Sequence, residues 1–330
     1  DAPGPVPILL GSDHSDLGAD LNADGDLEDF VLFVADARAG APLAPTALGA
    51  TDRVAVAAGN AAFLRSEAQE GLDLNGDLDL DDQVVHLYRN RQMGAPANLG
   101  LAATDVAVSD IALAALVSEA GEGLLLNGDG DLDDAVVYVN DVATGTSGTW
   151  TSLFLAADEV QVAGRFVAFT VPESGQGAPL NGDGDLEDRV LRVYDTVAAQ
   201  FLTLVDDQGI PLPGVGPAVD DFVLGDEIVA FRVSEAGQGV NLNDVVPPIP
   251  GGIADGDLFD SVVHAADLAT GTVYNGKQAA IPCPVEACDP RVPYRIVGKQ
   301  VTHLTLEASR AETISIRAAM AEPVLCLSLI

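Results

Sequence analysis

Residues 180–195 read "LNGDGDLEDRVLRVYD". An asparagine and four acids, Asp183, Asp185, Glu187 and Asp188, fall within eight positions, and alternating apolar residues follow at once. Carboxylates crowded this closely repel one another unless a cation sits among them.

The run is not unique. "LNADGDLEDFVLFVAD" begins at Leu21, "LNGDLDLDDQVVHLYRN" at Leu74 and "LNGDGDLDDAVVYVND" at Leu126. A fifth copy opens as "LND" at Leu242, is interrupted by "VVPPIPGGIA", and resumes as "DGDLFDSVVHAAD" at Asp255. Asn22, Asn75, Asn127 and Asn181 are spaced 53, 52 and 54 residues apart, and Asn243 follows 62 residues later. A fixed period of this length marks one supersecondary unit used repeatedly.

Each unit can be read from its own alternation. Around the fourth loop, "EVQVAG" ends in a Gly turn, "RFVAFTVPES" follows, the acidic loop comes next, and "DRVLRVYD" and "QFLTLV" complete the set. Four short strands joined by turns make an antiparallel meander. No helical periodicity competes with this reading, although "ASRAETISIRAAMA" near the end is ambiguous. Repeated four-stranded meanders are the blades of a β-propeller. Counting second strands ("PVPILL", "AAFLRSE", "IALAALVSE", "RFVAFTVPE", "EIVAFRVSE", "QVTHLTLEA") gives six. The expected fold is therefore all-β, a β-propeller of about six four-stranded antiparallel blades, with five or seven as alternatives. It is read as one domain over 1–330, with units at roughly 1–52, 53–104, 105–158, 159–220, 221–293 and 294–330. A calcium-binding nonapeptide β-helix needs a much shorter repeat, and paired β-sandwiches give no reason for one loop to recur at a fixed step.

Composition agrees with strands and points to cations. The chain is 48% apolar but only 5% aromatic, so its core is built from Val, Leu, Ala and Ile. The formal charge of -36, from 51 Asp plus Glu against 15 Lys plus Arg, argues against nucleic acid or an anionic membrane surface as a partner. No apolar run reaches the roughly 18 residues of a membrane-spanning helix. The chain begins at Asp1 without methionine, which fits removal of a leader, though a partial sequence would look the same. Cys283 and Cys288 frame "CPVEAC" and could close a small disulfide ring, as expected outside the cell, while Cys326 has no evident partner.

Counted from the asparagine, oxygen-bearing side chains stand at positions 1, 3, 5 and 8 of each loop. Alternate placement curls a short loop so that its side chains converge, and calcium takes roughly 6–8 oxygen ligands from such groups. The expected ligands are Asn22, Asp24, Asp26 and Asp29; Asn75, Asp77, Asp79 and Asp82; Asn127, Asp129, Asp131 and Asp134; Asn181, Asp183, Asp185 and Asp188; and Asn243, Asp255, Asp257 and Asp260. Glu67, Glu119, Glu173 and Glu235 each lie eight residues before the motif asparagine, at the end of the second strand, and are candidate ligands as well; the first unit has His14 there, beside Asp13. The competing reading is that Asn, Asp and Gly simply form turns and that these glutamates face water. Calcium is favoured over magnesium because the ligands come from protein alone, and over zinc because the loops lack Cys.

The loops "LNGDGDLED" and "LNGDGDLDD" resemble the "DxNGDGxxD" calcium loops of integrin-type (FG-GAP) propeller repeats over about ten residues in each of five units. They depart from that pattern where Leu21, Leu74, Leu126 and Leu180 precede the asparagine, with Ala19, Leu72, Leu124, and Ala178 with Pro179, on the approach and Asp20 and Asp73 partly filling the gap in two units only. The resemblance implies calcium, at about five sites, and a propeller. It implies no activity.

No catalytic constellation stands out. His14, His86, His264 and His303 are scattered, and His86 and His264 occupy equivalent positions in "VVHLY" and "VVHAA", which suggests packing or surface. The functional expectation is a secreted or surface-displayed, calcium-stabilised structural or interaction protein. The first unit lacks a first strand and the last ends in the apolar "EPVLCLSLI", so the C-terminal strand is expected to complete the first blade within the same chain. The other reading is that a neighbouring copy completes it, joining copies head to tail into a filament, and the partners would be proteins. The alternative is a glycan-binding lectin or a hydrolase with its site at the channel mouth.

Overall fold

The computed structural model describes residues 8–12, 20–22, 25–27, 29–35, 46–90, 95–243, 257–280 and 294–303. The chain divides into two compact units, Asp1–Val167 and Ala168–Ile330.

The fold is all-β and of the propeller class, a succession of antiparallel meanders. In the first, β1 (Ile8–Ser12), β2 (Phe30–Val34) and β3 (Thr46–Ala50) lie in that order, with Ile8 opposite Val34 and Ser12 opposite Phe30. The second runs through β4 (Arg53–Ala57), β5 (Asn60–Ser66), β6 (Gln83–Tyr88) and the first half of β7 (Ala97–Val108). β7 serves two meanders: Ala97–Ala102 pairs with β6, and Ala103–Val108 pairs with β8 (Ala112–Ser118) of the third. β9 (Ala135–Asp141) and β10 (Thr151–Ala156) complete the third.

The fourth comprises β11 (Glu159–Ala163), β12 (Phe166–Pro172), β13 (Arg189–Asp195) and β14 (Gln200–Phe201), and the boundary between the units falls inside β12. The fifth is β15 (Val219–Leu224), β16 (Ile228–Ser234), β17 (Ser261–Asp267) and β18 (Val273–Ala279), and β19 (Tyr294–Val297) pairs with β20 (Gln300–His303) after it.

Burial explains why the second strands look uniformly apolar instead of alternating. In β8, Ala112, Leu113, Ala114, Ala115, Leu116 and Val117 are all buried, so both faces of the strand are covered. Alanine on both faces lets neighbouring layers approach closely without aromatic bulk. The edge strand β10 is covered only in part, with Leu153 and Ala156 buried and Thr151 and Phe154 exposed across a register shift between Ser152 and Ala156.

Two expectations need correcting. Four one-turn helices, absent from the strand-only reading, follow the second strands: α1 (Glu67–Glu70), α2 (Glu119–Glu122), α3 (Glu173–Gln176) and α4 (Glu235–Gln238). The Oγ atoms of Ser66, Ser118 and Ser234 accept the N–H of Gln69, Gly121 and Gly237 at 3.3, 3.1 and 3.1 Å. Gly71, Gly123, Gly177 and Gly239 close the turns in the left-handed region, at φ of 59, 61, 63 and 64°. Serine before the turn and glycine after it are ordinary helix-end chemistry, but four residues are too few to show a period. The strand expected from "QFLTLV" is shortened to Gln200–Phe201. Leu202 still donates to the Val193 carbonyl at 2.8 Å, after which Val205 bridges Pro211 and Thr272 and the chain enters the 206–217 loop. Among the described residues no helix is long and apolar enough to cross a membrane. The cysteines, His14 and the terminal segments lie outside the described residues.

Candidate metal centre

In the second to fifth meanders the acidic loop follows a one-turn helix and leads into the third strand, and in the second, third and fourth the loop backbone is held by its own side chains. Asn75 Oδ1 accepts the Asp77 N–H at 3.1 Å, Asp77 Oδ1 that of Asp79 at 3.0 Å, and Asp79 Oδ1 that of Asp81 at 3.0 Å. The same ladder recurs over Asn127–Asp133 and Asn181–Glu187. Side-chain oxygens bonding amides two residues on is what Asn and Asp do in turns, so the alternate spacing alone requires no ion. Positive φ at the fourth loop position is met by Gly25, Gly130 and Gly184; in the second loop Leu78 takes it at 85°, with its side chain 91% exposed.

The eighth-position acid closes the loop. Nδ2 of Asn22, Asn75, Asn127, Asn181 and Asn243 donates to Asp29, Asp82, Asp134, Asp188 and Asp260 at 2.7, 2.8, 2.9, 2.6 and 2.7 Å. Burial, and then the carboxylates beside them, raise Asp82, Asp134 and Asp188 to about 6. For Asp82 and Asp134 the Asn bond opposes that rise. On Asp183 burial pushes upward but is outweighed by hydrogen bonds from the Asp185 amide and Asn181, and its carboxyl lies below the usual range.

The glutamates expected at the strand ends prove to be the first residues of the helical turns and are fully buried: Glu67, Glu119, Glu173 and Glu235 are each 0% exposed. One oxygen has a clear structural duty, because Glu67 Oε1 accepts the N–H of Leu74 at 2.5 Å and of Asn75 at 3.2 Å. The same pair of amides is held by Glu119, Glu173 and Glu235 in their loops. The second oxygen, Oε2, is buried without a hydrogen-bond partner in all four. A buried carboxylate oxygen with nothing to meet it is costly, and four repetitions exclude accident. The water-facing reading of these residues does not survive.

Four clusters result, within each of which one ligand atom per residue lies within 4.8 Å of the others: Glu67, Asp77, Asp79 and Asp82; Glu119, Asp129, Asp131 and Asp134; Glu173, Asp183, Asp185 and Asp188; and Glu235, Asp257 and Asp260. Asp257 and Asp260 converge with Glu235 although a long insertion separates them from Asn243. Asp24 and Asp255 lie outside the described residues. Asp26 and Asp29 of the first loop enter no such cluster among the described residues. Asn75, Asn127 and Asn181 spend both side-chain ends on the loop itself, Oδ1 on an amide and Nδ2 on the eighth-position acid, whereas Asn22 Oδ1 is buried without a hydrogen-bond partner.

Residues missed by sequence reasoning tie one repeat to the next. Asn22 Nδ2 also donates to the Gln69 carbonyl at 2.8 Å, and Asn181 Nδ2 to that of Gly237 at 2.7 Å, reaching the helical turn of the following repeat. There is no room for a side chain at that point: a Cβ on Gly121 would lie 2.5 Å from Asp82 Oδ1, and one on Gly237 2.2 Å from Asp188 Oδ1. The last residue of three of the turns reaches back, with Glu70, Glu122 and Gln238 accepting the N–H of Ala50, Ala102 and Ala218 at 2.6, 2.7 and 3.1 Å. The signal was the recurring Glu or Gln five residues before Asn75, Asn127, Asn181 and Asn243.

His86 and His264 are packing residues. Each is buried, sets Nδ1 2.9 Å from the carbonyl two residues back, and lies against Phe63 or Phe231 with ring centroids 5.7 and 5.8 Å apart. Burial lowers both to about 4, so both rings are neutral.

No family model matches the chain, and no curated protein does. Among solved structures it is similar to TolB from Acinetobacter baumannii, at 12% identity over 74% of this chain and 48% of that one, with a TM-score of 0.33. It is also similar to the β-propeller domain of the trilobed protease from Pyrococcus furiosus, at 9% identity over 77% of this chain and 91% of that one, with a TM-score of 0.32. The chain spans about half the length of the TolB structure it matches. At these scores the likenesses decide nothing further.

Proposed function

We propose that this chain is a calcium-stabilised β-propeller acting outside the cell as a structural or interaction module, with the ions serving as staples. What carries the reading is the set of four fully buried glutamates whose second oxygen has no partner, each beside two or three aspartates. The Asx ladder accounts for the loop aspartates without an ion; among the described residues nothing accounts for those oxygens. A hard cation that prefers carboxylates and carbonyls matches the donor set, which contains no sulfur or imidazole among the described residues. Calcium at millimolar concentration outside cells would keep weak sites loaded, and the charge of -36 suits a protein that gathers cations. Assembly into filaments through the terminal strands belongs to the same proposal; electron microscopy of the purified protein would reject it by showing only isolated particles.

The decisive experiment is thermal unfolding with excess calcium and with excess chelator. Each site held at a hundred times its Kd contributes about 2.7 kcal/mol. With four clusters, chelation is expected to lower the melting temperature by about 10 °C or more. Equal melting in the two conditions would end the calcium reading.

A further inference from the structure

The second unit holds a cavity of about 700 Å³ where the repeat is broken. The spacing from Asn181 to Asn243 exceeds the others, and much of the excess is the 206–217 loop, which forms one wall through Leu212, Pro213 and Pro217. The facing wall is Phe231 and Val233 of β16, Leu242 after the helical turn, and Val273 of β18.

The loop is a fixed wall. Leu212 donates to the Leu204 carbonyl at 3.0 Å and Val215 to that of Leu180 at 2.7 Å. Gly214, at φ of 63°, presses so close to the fourth acidic loop that an added Cβ would stand 2.0 Å from the Leu180 carbonyl oxygen. A rigid apolar cavity of this volume, with a few polar groups converging on it, is of the kind that takes small molecules.

The polar groups choose the charge of the occupant. Asp206 Oδ1 is used in its own turn, accepting the N–H of Gln208 at 2.9 Å and of Ile210 at 2.8 Å, which leaves Oδ2 for a ligand. Asp207 beside it is exposed, and Asp183 of the fourth loop also borders the space. The one cation on the lining, Lys277, is held 3.1 Å from the Leu242 carbonyl. His264 directs Nδ1 to the Val262 carbonyl, so its neutral ring has an acceptor, Nε2, remaining. Acceptors and negative charge dominate.

We propose that this cavity binds a small lipophilic cation, an amine with an apolar body, whose body lies between the 206–217 loop and β16 and whose ammonium meets Asp206 and Asp207. The two aspartates assigned to the ammonium belong to none of the metal clusters, whereas Asp183 on the border of the cavity belongs to one.

The test is a fluorescence titration in calcium-containing buffer with three probes sharing one fluorophore: dansylcadaverine as the cation, dansylamide as the neutral form and dansylglycine as the anion. Saturable, blue-shifted binding of the cation is expected, with the anion at least tenfold weaker. The Asp206→Asn, Asp207→Asn double variant, which keeps the turn-capping oxygen, should lower affinity for the cation about tenfold and leave that for the neutral probe unchanged. Val233→Trp should block all three, with circular dichroism checking its fold; Asp207→Asn alone, an exposed change, gives a smaller loss in the same direction. No saturable binding, equal binding of the three probes, or an unaffected double variant would each overturn the proposal.

Discussion

The second and fifth meanders keep the same anchors across very different loops. Glu67 and Glu235 begin the helical turns, Phe63 and Phe231 face His86 and His264, and Asn98 and Asn275 donate to the carbonyls of Leu74 and Leu242. Between Asn75 and Asp82 the chain is continuous; between Asn243 and Asp260 it carries an insertion, yet both asparagines reach their aspartate, at 2.8 and 2.7 Å. The lesson is that the site is set by its two ends, the buried glutamate and the asparagine–aspartate clasp, while the span between them is free to vary.

The largest expected effect comes from breaking the glutamate end in each meander. Glu→Gln keeps Oε1 for the two amides and removes the charge. In calcium, Glu235→Gln leaves two carboxylates and should lose that site, about 3 kcal/mol in calorimetry. Glu67→Gln leaves three and should lose less. In chelator both variants should melt at or above the parent, because an unpaired buried charge has gone. A loss of equal size with and without calcium would mean that the glutamates act only as loop braces.

A second effect uses the paired histidines. A histidine whose folded pKa lies below its unfolded value favours folding only while neutral, so its contribution is whole above about 6.5 and disappears as pH falls towards 4. Held at about 4 instead of 6.5, each accounts for about 3 kcal/mol of acid sensitivity. His86→Phe and His264→Phe should each flatten the stability curve between those pH values. The flattening should be larger for His86, because His264 opens on a cavity that water can enter. Parallel curves for parent and variants would refute it.

The smallest effect is confined to the second loop. Leu78 holds a positive φ that glycine holds in three other loops, and its side chain is almost wholly exposed. Leu78→Gly should therefore stabilise by about 1 kcal/mol, a rise of about 2 °C in melting temperature.

Much of this was legible in the sequence because it repeats. Spacing between asparagines gave the unit, alternation gave its strands, and recurrence of Glu67, Glu119, Glu173 and Glu235 at a constant distance singled out residues that one copy would have hidden. What escaped was short or local: four-residue helical turns show no period, and the left-handed bulges at Gly100, Phe154 and Lys277 share no residue type. Orientation escaped too, since an acid at a strand end reads as solvent-facing until the following turn is seen to fold over it. The wall of the cavity was visible only as Pro- and Gly-rich sequence, because its form depends on amides reaching Leu180 and Leu204.

The bonds from Asn22 to Gln69 and from Asn181 to Gly237 run in one direction, each of these two loops being completed by the repeat that follows it. The array therefore has a polarity. Cutting the chain from its C-terminal side strips such a loop of its far support, whereas trimming from the N-terminal side removes the strand amide that Glu70, Glu122 or Gln238 accepts, so deletions from the two ends should differ in consequence even when equal in length.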